Sequence, residues 1–347
     1  MCSDSVAATS ALSDSARLLF VTPGKLGDGL ISLVIAHNLV RAGYSVTVRG
    51  DVVNALAEWL PTYATGPTLQ HEEYAEVARE FDLCIIDSQA PNLQKGETDL
   101  RPQLARSSAF FSLAHYENSL DGLFDPTALS PNLRSLEKLV PRRGLVRDQR
   151  NRSSHMVEHA LKFCEREMHV RDATSDIGLR IPPRIQQEPH ASPKVVISPT
   201  SGKEKKNWLS QRFISLAAQL TERGVECVFA VAPEESAEWR LKLNGGFALA
   251  ATDSVADLAE LLAGASVVVS NDSGTAHLAS AIGIQVVCII SSWDSSYGWR
   301  PGWAASELIR PLLPVRAIPG LWPHFVGVSR VFDAVMRRIE REKSDKN

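Results

Sequence analysis

Short apolar runs alternate with longer segments of helical period along most of this chain, and turns rich in glycine, proline or small polar residues separate them. Leu18-Leu19-Phe20-Val21 predicts a buried strand, followed by a glycine-bearing turn and an apolar helix from about residue 29 to 42. Val46-Thr47-Val48 then predicts the next strand. Strand, helix and strand in that order form a βαβ unit, so the sheet is parallel. Further strands are expected at 83–86 and 109–113, with helices between them. The pattern weakens over 126–141, and a long helix from about 154 to 169 precedes a proline-rich stretch at 181–193 that reads as a linker.

After the linker the alternation resumes. Strands are expected at 195–198, 226–231, 247–250, 267–270 and 286–290, and helices at 211–223, 234–241, 255–263 and 274–282. Ser254 is placed to cap the helix whose buried face carries Leu258, Leu261 and Leu262. The repeated pattern predicts an α/β protein of two Rossmann-like, doubly wound domains facing a central cleft, the natural ligand site. The expected divisions are a disordered tail over 1–16, an N-terminal domain over 17–180, the linker, a C-terminal domain over 194–325, and a final helix and tail over 326–347. That last helix carries Val328, Val331, Phe332, Val335 and Ile339 on one face and can pack on either domain.

Composition narrows the function classes. The 347 residues suffice for two cores, and 44% apolar with 22% charged content describes a globular protein. No apolar run approaches the roughly 18 residues of a membrane span. The first residues lack the basic start and apolar stretch of a signal peptide, so a cytoplasmic protein is expected. Cys84, Cys227 and Cys288 lie inside apolar runs without a C-x-x-C pair, so neither a disulfide nor a metal site is expected, and no cofactor. A net charge of −3 gives no global signature of nucleic-acid binding.

The chemistry concentrates where strands give way to helices. In Asn271-Asp272-Ser273-Gly274-Thr275-Ala276-His277, the helix start offers the backbone N–H groups of Ser273, Gly274 and Thr275 to an anion, with the positive end of the helix dipole behind them. Thr200, Ser201 and the run Lys203-Glu204-Lys205-Lys206 follow the first strand of the second domain, where hydroxyls and an ammonium can reach a diphosphate. Such a charge run is also an ordinary solvated face. Glu234 or Glu235, at the end of another strand, is placed to accept hydrogen bonds from ribose hydroxyls or to complement a helix dipole. Asp28, in the first βα turn, is either a base facing the cleft or the N-cap of the following helix.

Gly27-Asp28, Lys206-Asn207-Trp208 and Asn271-Asp272-Ser273-Gly274 with His277, taken in order, resemble glycosyltransferase family 9, which contains the ADP-heptose:lipopolysaccharide heptosyltransferases. The resemblance implies the GT-B fold and an inverting transfer of heptose from ADP-heptose to a lipopolysaccharide inner-core acceptor, with Asp28 as general base. It implies that Thr200, Ser201, Lys206, Ser273, Gly274 and Thr275 bind the donor phosphates, and that Glu234, Asp272 and His277 serve the ribose, the sugar or the phosphate loop. Arg142, Arg143 and Arg147 belong to a basic cluster suited to the phosphates and carboxylates of such an acceptor, or to solvent. Peripheral contact with the cytoplasmic face of the inner membrane is compatible with that acceptor, whereas nucleic acid is not an expected partner.

The chain departs from the family in two places. Leu209 stands where a proline usually follows the tryptophan, in a loop about one residue longer, which leaves the lysine register open by one position. Ser291-Ser292-Trp293-Asp294 replaces a Gly-Pro-Thr turn that lines the donor. A protein or small-molecule acceptor, and a GT-B-fold nucleotide-sugar epimerase or hydrolase, are the competing readings.

Overall fold

A computed structural model describes residues 16–113, 136–141, 144–148, 150–151, 153–185, 192–291, 297–312 and 320–345, with side chains to 341. The first half contains β1 (Arg17–Val21), α1 (Leu26–Arg41), β2 (Ser45–Arg49), α2 (Asp51–Ala55), β3 (Ala64–Gly66), α3 (Tyr74–Val77) and β4 (Leu83–Asp87). A small antiparallel hairpin of β5 (Gln94–Lys95) and β6 (Thr98–Asp99), then α4 (Arg101–Leu104), β7 (Ser108–Phe111) and α5 (Met156–Arg166) complete it. Its sheet is parallel throughout, in the order β3-β2-β1-β4-β7.

The second half contains β8 (Lys194–Ser198), α6 (Ser210–Thr221), β9 (Glu226–Val231), α7 (Ser236–Leu243), β10 (Ala248–Ala251), α8 (Val255–Ala263), β11 (Val267–Asn271), α9 (Gly274–Ile282), β12 (Gln285–Ile289), β13 (Ser306–Ile309) and α10 (Val328–Asp345). It forms a second parallel sheet, in the order β10-β9-β8-β11-β12-β13. The strand order reverses between β1 and β4 in one sheet and between β8 and β11 in the other. These are the switch points at which doubly wound sheets open a crevice beyond the strand C-termini. Two doubly wound parallel sheets are the architecture expected of the GT-B fold.

The differences from the sequence expectation have local causes. The edge strands β3 and β13 are too short and too exposed to show a period-two pattern. Helix α1 begins at Leu26, three residues before the expected Gly29, because Gly27 lies inside the first helical turn and not in the preceding loop. Ser254 does cap α8, its hydroxyl accepting from Asp257 N–H at 3.1 Å. The C-terminal helix takes the second half as its partner: Val331, Val335 and Ile339 are buried with Phe213 and Leu216 of α6.

Helix α1 packs on α5 and, across the two halves, on α9. Two glycines set that approach. A Cβ on Gly27 would lie 2.9 Å from Cδ2 of His277, and a Cβ on Gly274 would lie 2.7 Å from Cβ of Leu26. The apolar cluster of the first half, including Leu30, Ile31 and Val34, therefore continues through Leu278 and Ala279 of α9 to Leu262 of α8. Segment 297–304 adds polar ties: Met156 N–H donates to the Gly298 carbonyl (2.8 Å), and Trp303 Nε1 donates to the Ser175 carbonyl (2.8 Å). Arg184 pairs at once with Glu58 (2.9 Å) and Glu260 (2.8 Å), one on each half.

Because the space a side chain at 274 would need is filled by Leu26, Gly274→Ala is expected to cost about 1–3 kcal/mol through overpacking. Its ligand-free melting temperature should fall, and Leu26→Gly should give back part of that loss in the double variant. An unchanged melting curve for Gly274→Ala would show that the seam tolerates a Cβ there.

Candidate active site

A cavity of about 1090 Å³ lies between the C-terminal edges of the two sheets and is lined from both. From the first half, Asp28 reaches it out of the first turn of α1. The N-cap of that helix is Lys25, extended in backbone and without a side-chain cap, so Asp28 is not the cap; it is the third helical residue, inside the turn where the dipole favours an anion. Asp87, the last residue of β4, shares the same cavity wall. Only 1% exposed, it accepts one hydrogen bond on its carboxylate among the described residues, from Gln89 N–H at 2.7 Å. Burial, reinforced by the nearby charge of Asp28, pushes the Asp87 carboxyl up to about 7.

From the second half, Ser273 is the N-cap of α9, but its hydroxyl faces that of Ser270 at 2.8 Å and does not cap the helix. The first turn of α9 therefore lacks the side-chain acceptor that Ser254 gives α8, and its N–H groups lie beside the cavity lined by Ser273, Gly274 and Thr275. Asn271, fully buried, ties the switch point together: its Oδ1 accepts from Trp208 N–H (2.9 Å) and its Nδ2 donates to the Pro199 carbonyl (2.7 Å). That bond places the loop after β8 so that Lys206 Nζ meets Asp272 Oδ2 at 2.8 Å inside the cavity. Lys205 is exposed and Lys203 stands at the cavity rim.

The remaining candidates divide by environment. The Thr200 hydroxyl donates to Glu235 Oε2 (2.8 Å), and the same carboxylate accepts from Ala232 N–H (3.2 Å). Glu234 is exposed on the cavity wall and Glu235 is the tethered one of the pair. The Ser201 hydroxyl lies 2.6 Å from Asn207 Oδ1, inside its own loop. Arg147 does not itself line the cavity, but its N–H donates to the carbonyl of Leu113, which does (3.0 Å), and its guanidinium lies against Gly298; Arg142 and Arg143 lie outside the described residues, as does 292–294 of the altered turn. Among the described residues no group of His, Cys, Asp and Glu could hold a metal ion, and no helix is long and apolar enough to cross a membrane.

His277 is 5% exposed, wedged against Gly27 and edge-on to Trp303. Its Nδ1 has no hydrogen-bond partner among the described residues, and burial pulls its pKa down to about 4. It is a neutral ring at the seam. Sequence reasoning missed both this packing role and Asp87. The available signal for Asp87 was an acid closing the apolar run Leu83-Cys84-Ile85-Ile86.

Residues 141–299 match the model of glycosyltransferase family 9 (heptosyltransferase). The chain resembles that family. A solved family 9 glycosyl transferase from Veillonella parvula DSM 2008 superposes with a TM-score of 0.68 at 15% identity, covering 94% of this chain and 98% of that one. E. coli ADP-heptose lps heptosyltransferase II gives 0.63 at 16% identity, covering 94% and 99%. E. coli heptosyltransferase WaaC, solved with ADP, gives 0.61 at 15% identity, covering 93% and 99%. At such identities these structures share the fold. A search of curated proteins gave no match. The family is one of glycosyl transfer, and heptosyltransferase is its description.

The depressed pKa of His277 fixes the sign of a pH effect. Between about 4 and the ordinary 6.5 the folded protein binds fewer protons at this site than the unfolded chain does, so stability falls as pH drops through that window. The contribution lost is about 3 kcal/mol by linkage. Denaturant titrations at pH 7 and pH 4.5 should show a smaller acid loss for His277→Gln than for the unmodified protein. Equal losses would place the proton elsewhere.

Proposed function

We propose that the protein is an inverting glycosyltransferase that moves a heptose from ADP-heptose to an acceptor hydroxyl, and that its acceptor is the lipopolysaccharide inner core. The observation that carries this reading is the pairing of opposites across one cavity: a carboxylate, Asp28, on the first half, and on the second the first turn of α9 with Lys206 beside it. Asp28 takes the proton of the acceptor hydroxyl as its oxygen attacks the anomeric carbon. The N–H groups at Ser273, Gly274 and Thr275, with Lys206, stabilise the charge on the departing diphosphate. In this reading Glu234 accepts from the ribose hydroxyls and Asp272 from those of the sugar; both line the cavity, and Asp272 pairs with Lys206, which supports it. On this reading residues 17–180 serve the acceptor, with Arg142, Arg143 and Arg147 as contacts for its anionic groups, and 194–325 serve the donor.

The presence of Asp87 favours one second reading. A nucleotide-sugar epimerase or hydrolase of this fold needs more than one acid at the sugar, and Asp28 and Asp87 line one wall. Incubation with ADP-heptose, with and without a panel of truncated lipopolysaccharides, separates transfer from hydrolysis by product mass, and proton NMR of the recovered nucleotide sugar detects epimerisation, which leaves the mass unchanged. A heptose added to one acceptor supports transfer; free sugar released at the same rate without acceptor supports hydrolysis.

Two variants test the roles. Asp28→Asn should leave ADP binding nearly unchanged and lower turnover by about two to four orders of magnitude, the size of a general-base contribution. Unchanged turnover would remove Asp28 from the chemistry. Lys206→Ala should weaken ADP binding by roughly 1.5–3 kcal/mol, the worth of a charge-assisted contact. Calorimetric titration with ADP checks it, and a silent Lys206→Ala beside a damaging Lys205→Ala would shift the phosphate contact by one residue.

A further inference from the structure

The first half supplies a second carboxyl that the scheme above does not use. Asp87 closes β4, the strand that pairs with β1 at the switch point, and the turn after β1 leads into the helix that carries Asp28. Asp87 at the end of β4 and Asp28 in the first turn of the helix that follows β1 therefore both line the first-half side of the cavity. Their surroundings differ. Asp28 is half-buried in the first turn of a helix, where an anion is favoured. Asp87 is almost completely buried and, among the described residues, is given a single donor, the N–H of Gln89, whereas a buried carboxylate needs several. Arg101, in the same segment, pairs with Asp99 at 2.8 Å and reaches the Ser88 carbonyl at 3.5 Å. Across the cavity Lys206 is committed to Asp272, and Lys25 at the start of α1 is exposed.

We propose that Asp87 is a positioning residue for the transfer reaction: it keeps its proton beside Asp28, so that Asp28 is the one anion facing the acceptor hydroxyl. The proposal rests on the glycosyltransferase reading. The acceptor proton passes to the Asp28 carboxylate, and Asp87 neither gains nor loses one during the reaction. The raised pKa of Asp87, about 7, agrees with this division of charge. Two like charges on one wall repel, so ionising Asp87 disturbs the placement of Asp28 and adds negative charge to a site meant for a diphosphate.

The experiment has two readouts on the full chain. Carboxyl-carbon NMR of protein labelled at aspartate, with the Asp87 signal identified by its loss in Asp87→Asn, should show Asp87 titrating near pH 7 and at a lower pH in Asp28→Asn. A midpoint in the ordinary carboxylate range, or one that Asp28→Asn leaves in place, overturns the proposal whatever the enzyme's substrate. The pH profile of heptose transfer supplies the second readout. Turnover of the unmodified protein should fall above pH 7 by about tenfold per unit, the slope for loss of one proton. Asp87→Asn, which is neutral at every pH and equal in size, should keep turnover at pH 6 and lose that fall. The same alkaline fall in Asp87→Asn overturns the positioning role. A coupled pair in the NMR titration without transfer to any acceptor overturns the functional reading, and the positioning role with it, while leaving the pair intact.

Discussion

The close approach of α1 and α9 is the constraint on which the site depends. Each helix starts at the C-terminal edge of its own sheet and directs its first turn at the same cavity. Groups carried by the two first turns can act on one bound molecule only if the helix starts lie close together. Gly27 and Gly274 make that possible by leaving room for His277 and Leu26 respectively. The glycines thus serve backbone approach between two halves of the protein, a role distinct from the left-handed turns in which glycine is more often required.

Behind the seam, the second half is organised by a few buried polar groups. Asn271 uses both ends of its amide to fix the loop after β8 against the end of β11. Trp208 is held at its other end by the Val326 carbonyl, 3.1 Å from Nε1, which connects the same loop to the start of the C-terminal helix. Lys206 is thereby presented to the cavity by a buried framework, although its own side chain stays partly exposed and paired with Asp272. That pairing keeps the ammonium and the carboxylate available together, and a diphosphate arriving at α9 would compete with Asp272 for the lysine.

The sequence was legible where physics is local. The central strands are continuous apolar runs buried on both faces, and α8 and α9 announce themselves by a capping serine and by a glycine after a strand. What could not be read was set by contacts distant in sequence. The first turn of α1 looks like loop because Gly27 lowers helix propensity, and only the His277 ring against it explains the glycine. Asp87 reads as a turn residue after Ile86 until β4 is seen beside β1. His277 belongs to a recognisable motif, yet its burial against the other half of the chain is invisible in the motif itself. The candidate residues at helix starts that line the cavity were legible; which residues face them across the cleft was not.

The apolar cluster that runs from α1 into α8 and α9 has a consequence for motion. Two halves that meet only at a polar surface can part freely, whereas here parting would expose Leu278, Ala279 and the buried face of α1 to water, at about 25 cal/mol for each square ångström. Because that contact resists separation, a movement of the halves that keeps α1 packed on α9 costs less than one that parts them, and it leaves the spacing of the two helix starts unchanged.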